Sequence, residues 1–370
     1  MSTKQESAAR ISVATKAIEK DYGHVLKWLG EAAKVEREHI STGCIGLDNA
    51  VGHGGFERGL IVEIYGHEGA GKSFLGYSTM IEACKQGHKC AIVDAENSLD
   101  SELLVKIGLP EDQVMVAEGA PTGEANLSIA QSLMETGEFA VVMVDSVAAL
   151  VPEARTEADY DQQSMGLHAR LLSAGIQKIL PVVKRTNTLL IFINQIRNKI
   201  GSYGNPETTT GGKALPFYAA YRIEVRGGQS KSSKLLDQGT GEVYGHRTTF
   251  KVVKNKRSAP WREAEVDLIY GLGYDLVGEI VDLGIDMGAI EKNGTWLTYK
   301  GNKWQGRDKA KLALQVDVEL RLDLENLLRR IISGEVIEEI LVDENVKVEA
   351  SINDKPSRKK RTRKSETSTA

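Results

Sequence analysis

Between residues 40 and 270, short and nearly unbroken apolar runs recur at 60–65, 90–93, 114–116, 140–144 and 188–193, and the stretches between them carry helical spacing. Runs without polar alternation predict strands buried on both faces, and helical segments between them predict crossovers, so the pattern implies a parallel sheet. Two later runs, 221–225 and 249–253, alternate apolar with polar and predict antiparallel extensions of that sheet. Upstream, residues 10–34 are charged but place Ile18, Tyr22, Val25, Leu26 and Leu29 at helical spacing, which predicts a separate helical arm with little core of its own. From 271 to 333 the chain is richer in Gly and charge and reads as a small α/β domain ending in a helix over 316–332. The division that follows is an arm at 1–35, a core at 36–270, a small domain at 271–333 and a tail at 334–370. The tail is acidic first, then basic at Lys355, Arg358, Lys359, Lys360, Arg361, Arg363 and Lys364, a composition that predicts disorder.

Composition narrows the class. A chain of 370 residues that is 41% hydrophobic can bury one large core and one or two smaller ones. It has no apolar run of the ~18 residues needed to span a bilayer, and it opens without an apolar leader, so a cytoplasmic, soluble protein with no membrane partner is expected. Cys44, Cys84 and Cys90 lack metal-ligand spacing and are odd in number, which predicts buried reduced thiols. The net charge of −4 gives no overall basic signature, so any nucleic-acid site has to be local.

The sharpest signal is Gly66, His67, Glu68, Gly69, Ala70, Gly71, Lys72 and Ser73, which fits G-x-x-x-x-G-K-[ST] after a predicted strand and before a predicted helix that opens with Phe74. With Gly near 7% of residues, such a match arises by accident in about one or two chains per hundred of this length, before the flanking context is demanded. In this motif the glycines let backbone N–H groups face phosphate oxygens, Lys72 neutralises the β and γ oxygens, and Ser73 ligates Mg²⁺. The cradle by itself does not fix the fate of the γ-phosphate. Asp145 ends the run 140–144, where an acid can hold the magnesium shell opposite Ser73; the alternative is a helix N-cap. Glu96 lies just past the strand at 90–93, where a carboxylate can deprotonate water, or it is a solvated loop acid. Gln195 follows the strand at 188–193 at the root of a Gly-rich segment, either touching the γ-phosphate or serving as a turn residue.

Several strings taken together resemble the bacterial RecA recombinases: Val62-Glu-Ile-Tyr-Gly66, Asp94-Ala-Glu96, Val144-Asp-Ser-Val-Ala-Ala149, Met165-Gly-Leu167, Leu190-Ile-Phe-Ile-Asn-Gln-Ile196, Gly204-Asn-Pro-Glu-Thr-Thr-Thr-Gly-Gly212 and Lys251-Val-Val-Lys-Asn-Lys256. The resemblance runs nearly unbroken from 40 to 294. It implies an α/β fold: a RecA-like P-loop core with a mainly parallel central sheet, an N-terminal helical arm for self-assembly and a small C-terminal α/β domain. It implies an ATP- and Mg²⁺-using, DNA-dependent ATPase that forms a helical filament of its own copies on single-stranded DNA, pairs it with homologous duplex and exchanges strands. Recombination, repair and the SOS response to DNA damage would be its setting, with a LexA-type repressor and single-strand-binding or loader proteins as further partners.

The same resemblance assigns phosphate and Mg²⁺ contacts to Lys72, Ser73 and Asp145, water activation to Glu96 and γ-phosphate sensing to Gln195. It implies that Lys254 and Lys256 reach the ATP of the neighbouring subunit, and it assigns a subunit contact to Phe217. DNA contacts fall on two loops, 157–165 and 197–210, with Met165, Arg170, Arg197, Lys199, Ile200, Gly211, Gly212 and Lys213. Four features depart from the family pattern. Leu103 stands where a Tyr usually meets the adenine, Lys213 where Asn is common and Pro216 where Lys is common, and the last part of the tail is basic, which suggests capture of duplex DNA. Other classes are a small-molecule P-loop kinase, which needs an Arg-bearing lid, a related hexameric helicase, and a filament whose main role is to promote repressor self-cleavage.

Overall fold

The computed structural model describes residues 2–23, 25–32, 37–156, 166–198, 207–237 and 239–333. Met165, Lys199 and Ile200, the first candidate DNA loop at 157–165 and the tail at 334–370 lie outside the described residues.

The strand β1, Ile61–Gly66, is buried along its whole length, because it runs through the middle of a mixed sheet. After it come β2 (Lys89–Asp94), β3 (Val114–Glu118), β4 (Phe139–Asp145), β5 (Leu189–Asn198), β6 (Glu207–Thr209), β7 (Tyr221–Gly227), β8 (Val243–Asn255), β9 (Glu263–Ile269) and β10 (Gly273–Tyr274). Their spatial order is β10-β9-β8-β7-β1-β5-β4-β2-β3, with β6 paired to β5. The pairings from β7 through β3 are parallel, and those from β7 to β10 are antiparallel.

Both faces of the parallel part are covered, which is why its strands read as continuous apolar runs. On one face Leu75, Met80 and Ala83 of the helix Lys72–Lys85 pack with Ile64, Ile92 and Met143. On the other, Leu127 and Met134 of Gly123–Glu135 and Leu172 and Ile176 of Leu167–Thr186 pack with Val93, Val142 and Val144. Neighbouring β4 residues thus serve opposite cores, as the two-residue period of a strand requires. Cys44, Cys84 and Cys90 are buried and free, with the sulfurs of Cys84 and Cys90 3.9 Å apart.

Several elements differ from the expectation. The run 221–225 was expected to be antiparallel, yet β7 pairs parallel with β1 and the direction reverses only at β8. Its alternation records a wet face, bearing Arg222, Glu224 and Arg226, and not a strand direction. The run at 114–116 is an edge strand paired to β2 alone on the sheet path, so Met115 is exposed instead of buried on both faces. The helical spacing over 10–34 falls on two helices among the described residues. The first is Ser2–Tyr22, ended by Gly23 at φ 75°, and the second is the short helix Leu29–Ala32.

By compactness the chain divides into two units, up to Glu279 and from Ile280. Residues 271–279 join the first unit through specific bonds: β10 pairs β9, and the Glu279 carboxylate accepts from the backbone N–H groups of Ile45 and Gly46 at 3.1 and 2.9 Å. The second unit holds a three-stranded antiparallel sheet, Glu291–Asn293, Trp296–Tyr299 and Asn302–Gln305. Its helices Arg307–Val316 and Val318–Ser333 bury Leu314, Leu324 and Leu328. The helix expected over 316–332 begins at Val318 because Asp317 leaves helical geometry and its carboxylate caps Leu320 N–H at 2.9 Å.

Candidate functional site

Gly66 ends β1 where a side chain has no room, since a Cβ there would lie 2.1 Å from the Val225 carbonyl oxygen of β7. Gly69 and Gly71 then adopt φ of 70° and 95°, turning the backbone into the helix that starts at Lys72. Tyr274 closes the turn from below by donating its hydroxyl to the Gly71 carbonyl at 2.7 Å. Lys72 is buried, and its ammonium donates to the His67 carbonyl at 2.8 Å. Burial lowers its pKa, while the charges of Asp145, Glu96 and Glu68 act the other way. The turn therefore holds a buried cation with Asp145, Glu96 and Glu68 nearby.

At the end of β4, Asp145 accepts a hydrogen bond from Ser73, and its pKa is pushed up to about 6. Burial is the main cause; the Ser73 bond opposes it, and the neighbouring charges of Glu96 and Asp94 add to it. Asp94 escaped the sequence reading as a site residue. It is buried at the end of β2, and its carboxylate accepts from the N–H groups of Glu96, Ser98 and Leu99 at 3.0, 2.8 and 2.9 Å. An Asp that folds the following backbone onto itself is a common turn device, and the polar string Asp94-Ala-Glu-Asn-Ser98 carried that signal. Its effect is to fix where Glu96 points.

Glu96 accepts from the Ser146 hydroxyl and from the Gln195 amide, the latter at 3.4 Å. Ser146 was likewise not singled out from the sequence. Gln195 sits on β5 itself and not on a loop root, because β6 pairs back on β5 at Ile196, Arg197 and Asn198 and carries the strand beyond 193. The Gln195 carbonyl oxygen of the side chain accepts from Arg197 at 3.0 Å, so one side chain bridges the acid and the candidate DNA residue. Beneath it, Asn194 donates to Glu63 at 2.9 Å and to the Thr210 carbonyl at 3.1 Å, and buried Glu63 is neutralised by Arg222 at 2.6 Å. Ser73, Phe74, Tyr77, Leu99, Leu103 and Asp145 line a cavity of about 250 Å³ beside the cradle.

The remaining candidates lie apart from this cluster. Arg170 and Lys213 are exposed. Gly211 and Gly212 have φ of 87° and 76°, and a Cβ at either would strike Leu172 or Ala169. They pack a turn against the helix Leu167–Thr186 and lead, through Lys213, into the five-residue helix Ala214–Tyr218. Phe217 is 71% exposed on that short helix. Lys254 donates to the carbonyls of Pro216 and Phe217 at 2.7 and 2.8 Å, and Lys256 to those of Phe217 and Tyr218 at 3.5 Å. Cations at helix C-terminal carbonyls are favourably placed. Register puts them far from this chain's own cradle: Asn255 pairs with Tyr221, which pairs with Val62 at the start of β1, whereas the cradle follows Gly66 at its end.

A family model for the RecA N-terminal domain matches residues 9–275, and one for the RecA C-terminal domain matches 278–333. The chain belongs to the RecA family. Protein RecA of Caulobacter sp. (strain K31) is 44% identical over 322 residues, covering 86% of this chain and 88% of that protein. Protein RecA of Rhodospirillum rubrum is 44% identical over 309 residues, 83% and 82% of the two chains, and that of Chloroherpeton thalassium is 42% identical over 320 residues, 86% and 88%. As a RecA-family protein the chain is an ATP-binding recombinase. It forms filaments on single-stranded DNA, pairs that strand with homologous duplex, exchanges strands and hydrolyses ATP as a DNA-dependent ATPase. The kinase and helicase readings lapse with that assignment.

Proposed function

We propose that Lys72, Ser73, Asp145, Glu96 and Gln195 are the hydrolytic centre of this recombinase, with Gln195 tying it to DNA. The observation that carries this reading is the meeting, around one buried lysine, of the Glu96 carboxylate and an amide that bonds to it and also holds Arg197. Gly66, His67, Glu68, Gly69, Ala70 and Gly71 supply the backbone cradle, and Phe74 and Leu103 border the base. Glu96 accepts the proton of the attacking water, its carboxylate steadied by Ser146 and its backbone by Asp94.

The Ser73 hydroxyl and the Asp145 carboxylate are hard oxygen donors already in contact, a set that suits Mg²⁺ shared with substrate phosphates. When bound there, Mg²⁺ neutralises charge on the phosphoryl oxygens. Asp145→Asn tests the assignment. Its folded-state pKa of about 6 stands above the ordinary 3.8, so its contribution to stability is full below about pH 4 and lost as pH rises through 6. The Asn variant without nucleotide is therefore expected to be more stable than the parent by about 1–3 kcal/mol at pH 8 and equal to it near pH 4, while hydrolysis collapses. Thermal melts at both pH values and a turnover assay check this. A variant that melts lower at pH 8, or hydrolyses normally, would remove Asp145 from the site.

Leu103 contributes no ring to the cavity, where Phe74 and Tyr77 are the aromatic neighbours. Leu103→Tyr is expected to tighten ATP by roughly 3- to 10-fold, the worth of one aromatic contact, as read by titration with a fluorescent ATP analogue; unchanged affinity would place Leu103 away from the base.

For DNA, the reading is that Arg170, Arg197 and Lys213, with Met165, Lys199 and Ile200 from the segments outside the described residues, contact the strand. Lys254 and Lys256 complete the cradle of the next subunit, next to the Phe217 contact. A division into arm, core, small domain and tail at 35, 270 and 333 accompanies this reading, with the core carried past 270 to Glu279 by the β9–β10 pairing and the Glu279 carboxylate bonds. Cytoplasmic location, a part in the SOS response, a LexA-type repressor and single-strand-binding or loader proteins as partners rest on the family resemblance. No helix among the described residues is long and apolar enough to cross a membrane.

A further inference from the structure

His67 does two things at once. Its carbonyl accepts from the Lys72 ammonium at 2.8 Å, and its ring Nε2 lies 3.1 Å from Oε1 of Glu207, 140 residues away in sequence. Glu207 opens β6 opposite Asn198 of β5. Its other carboxylate oxygen accepts from Arg226 at 2.6 Å, and Arg226 also pairs with Glu224 at 2.7 Å, both on β7. Burial works against the Glu207 charge, yet the bonds from Arg226 and His67 outweigh it and keep its pKa below the ordinary value. A residue of the phosphate cradle is thus tied by its side chain to the β5–β6 ribbon that bears Arg197. The tie is separate from the bridge through Gln195, since it grips the ribbon on β6 and not on β5.

Phosphate oxygens compete with the His67 carbonyl for the Lys72 ammonium, because a charged acceptor makes the stronger hydrogen bond. Taking Lys72 away removes the shorter bond on the His67 carbonyl and leaves the longer one from the Ala70 N–H at 3.4 Å, so the His67 peptide is freer to shift and to carry its ring and Glu207 with it. We propose that the His67–Glu207 pair is a second positioning link, setting the β5–β6 ribbon according to whether Lys72 rests on the His67 carbonyl or on nucleotide. The proposal rests on reading residues 66–73 as the ATP cradle and the ribbon as part of the DNA site. Because coupling between two ligands is reciprocal, it is read as the gain in DNA affinity that nucleotide confers.

The test uses the full chain, a fluorescein-labelled oligo-dT and anisotropy with and without a non-hydrolysable ATP analogue and Mg²⁺. His67→Ala and Glu207→Ala are each expected to cut the nucleotide-dependent gain in affinity by about 5-fold or more, the lower end of ordinary allosteric couplings. The double variant is expected to lose no more than the larger single loss, since both substitutions break one link. His67→Gln, whose amide can still donate to Glu207, is expected to keep most of the gain. A merely structural defect weakens binding equally in both states, leaves the gain intact and would overturn the link, as would single losses that multiply in the double variant. Arg197→Ala separates this from the underlying reading: a loss of affinity there alongside an unchanged gain in His67→Ala overturns the link alone, whereas unaltered DNA binding in Arg197→Ala overturns both.

Discussion

Mixing two inactive variants, Lys72→Ala and Lys254→Ala, is expected to restore DNA-dependent ATP hydrolysis that neither shows alone. A Lys72→Ala subunit has lost its cradle cation but still presents Lys254 and Lys256; a Lys254→Ala subunit keeps its cradle and lacks the donor. Donated cations of this kind stabilise charge in phosphoryl transfer by about 10³–10⁵ in rate, so each homogeneous protein falls near background. In an equal mixture about a quarter of head-to-tail contacts pair an intact cradle with an intact donor, and activity should rise toward that fraction. The physical basis is the register: Lys254 and Lys256 lie by the start of β1 on the carbonyls behind Phe217, and the cradle lies at its end. Those carbonyl bonds tie half-buried Lys254 and exposed Lys256 to a short helix whose Phe217 is exposed, next to the proposed subunit contact. Turnover measured across mixing ratios checks it. A mixture that stays at background, with both proteins still binding single-stranded DNA, would confine the lysines to capping their own helix.

Glu96→Gln is expected to lower ATP turnover by about 10²–10⁴, the span that a positioned general base contributes, while ATP and single-stranded DNA affinities stay within about threefold of the parent. The amide is nearly isosteric and still offers an oxygen to Ser146, so the fold around Asp94 is retained. What it lacks is a lone pair basic enough to take a proton from water. Single-turnover hydrolysis separates this from slow product release, and nucleotide binding measured in parallel shows that the cradle is intact. If turnover drops only severalfold, Glu96 is a hydrogen-bond anchor for Gln195 and another group activates the water.

The cradle, Asp145 and Glu96 were legible in the sequence because each depends on neighbours close in the chain: an apolar run, a strand end, a glycine string. Asp94, Ser146 and the His67–Glu207 pair were not, since what they do depends on groups brought together by the sheet. Gln195 was placed on a loop for the same reason. Its strand continues only because β6, beyond the intervening segment, supplies hydrogen-bond partners that no local pattern announces. The parallel sense of β7 was hidden too, as alternation reports which face is wet and says nothing of direction. For Lys254 and Lys256 the sequence showed two lysines on a strand end, and only register places them at the opposite end of β1 from their own cradle.

That register also gives an assembled array an arrow. With Lys254 and Lys256 serving the next subunit as proposed, every interior nucleotide of a head-to-tail stack is clasped from behind, but the terminal subunit at one extremity has no neighbour to lend it lysines. On that reading its ATP stays uncleaved, the two tips of the array differ chemically, and disassembly driven by hydrolysis is expected to begin away from the unclasped tip.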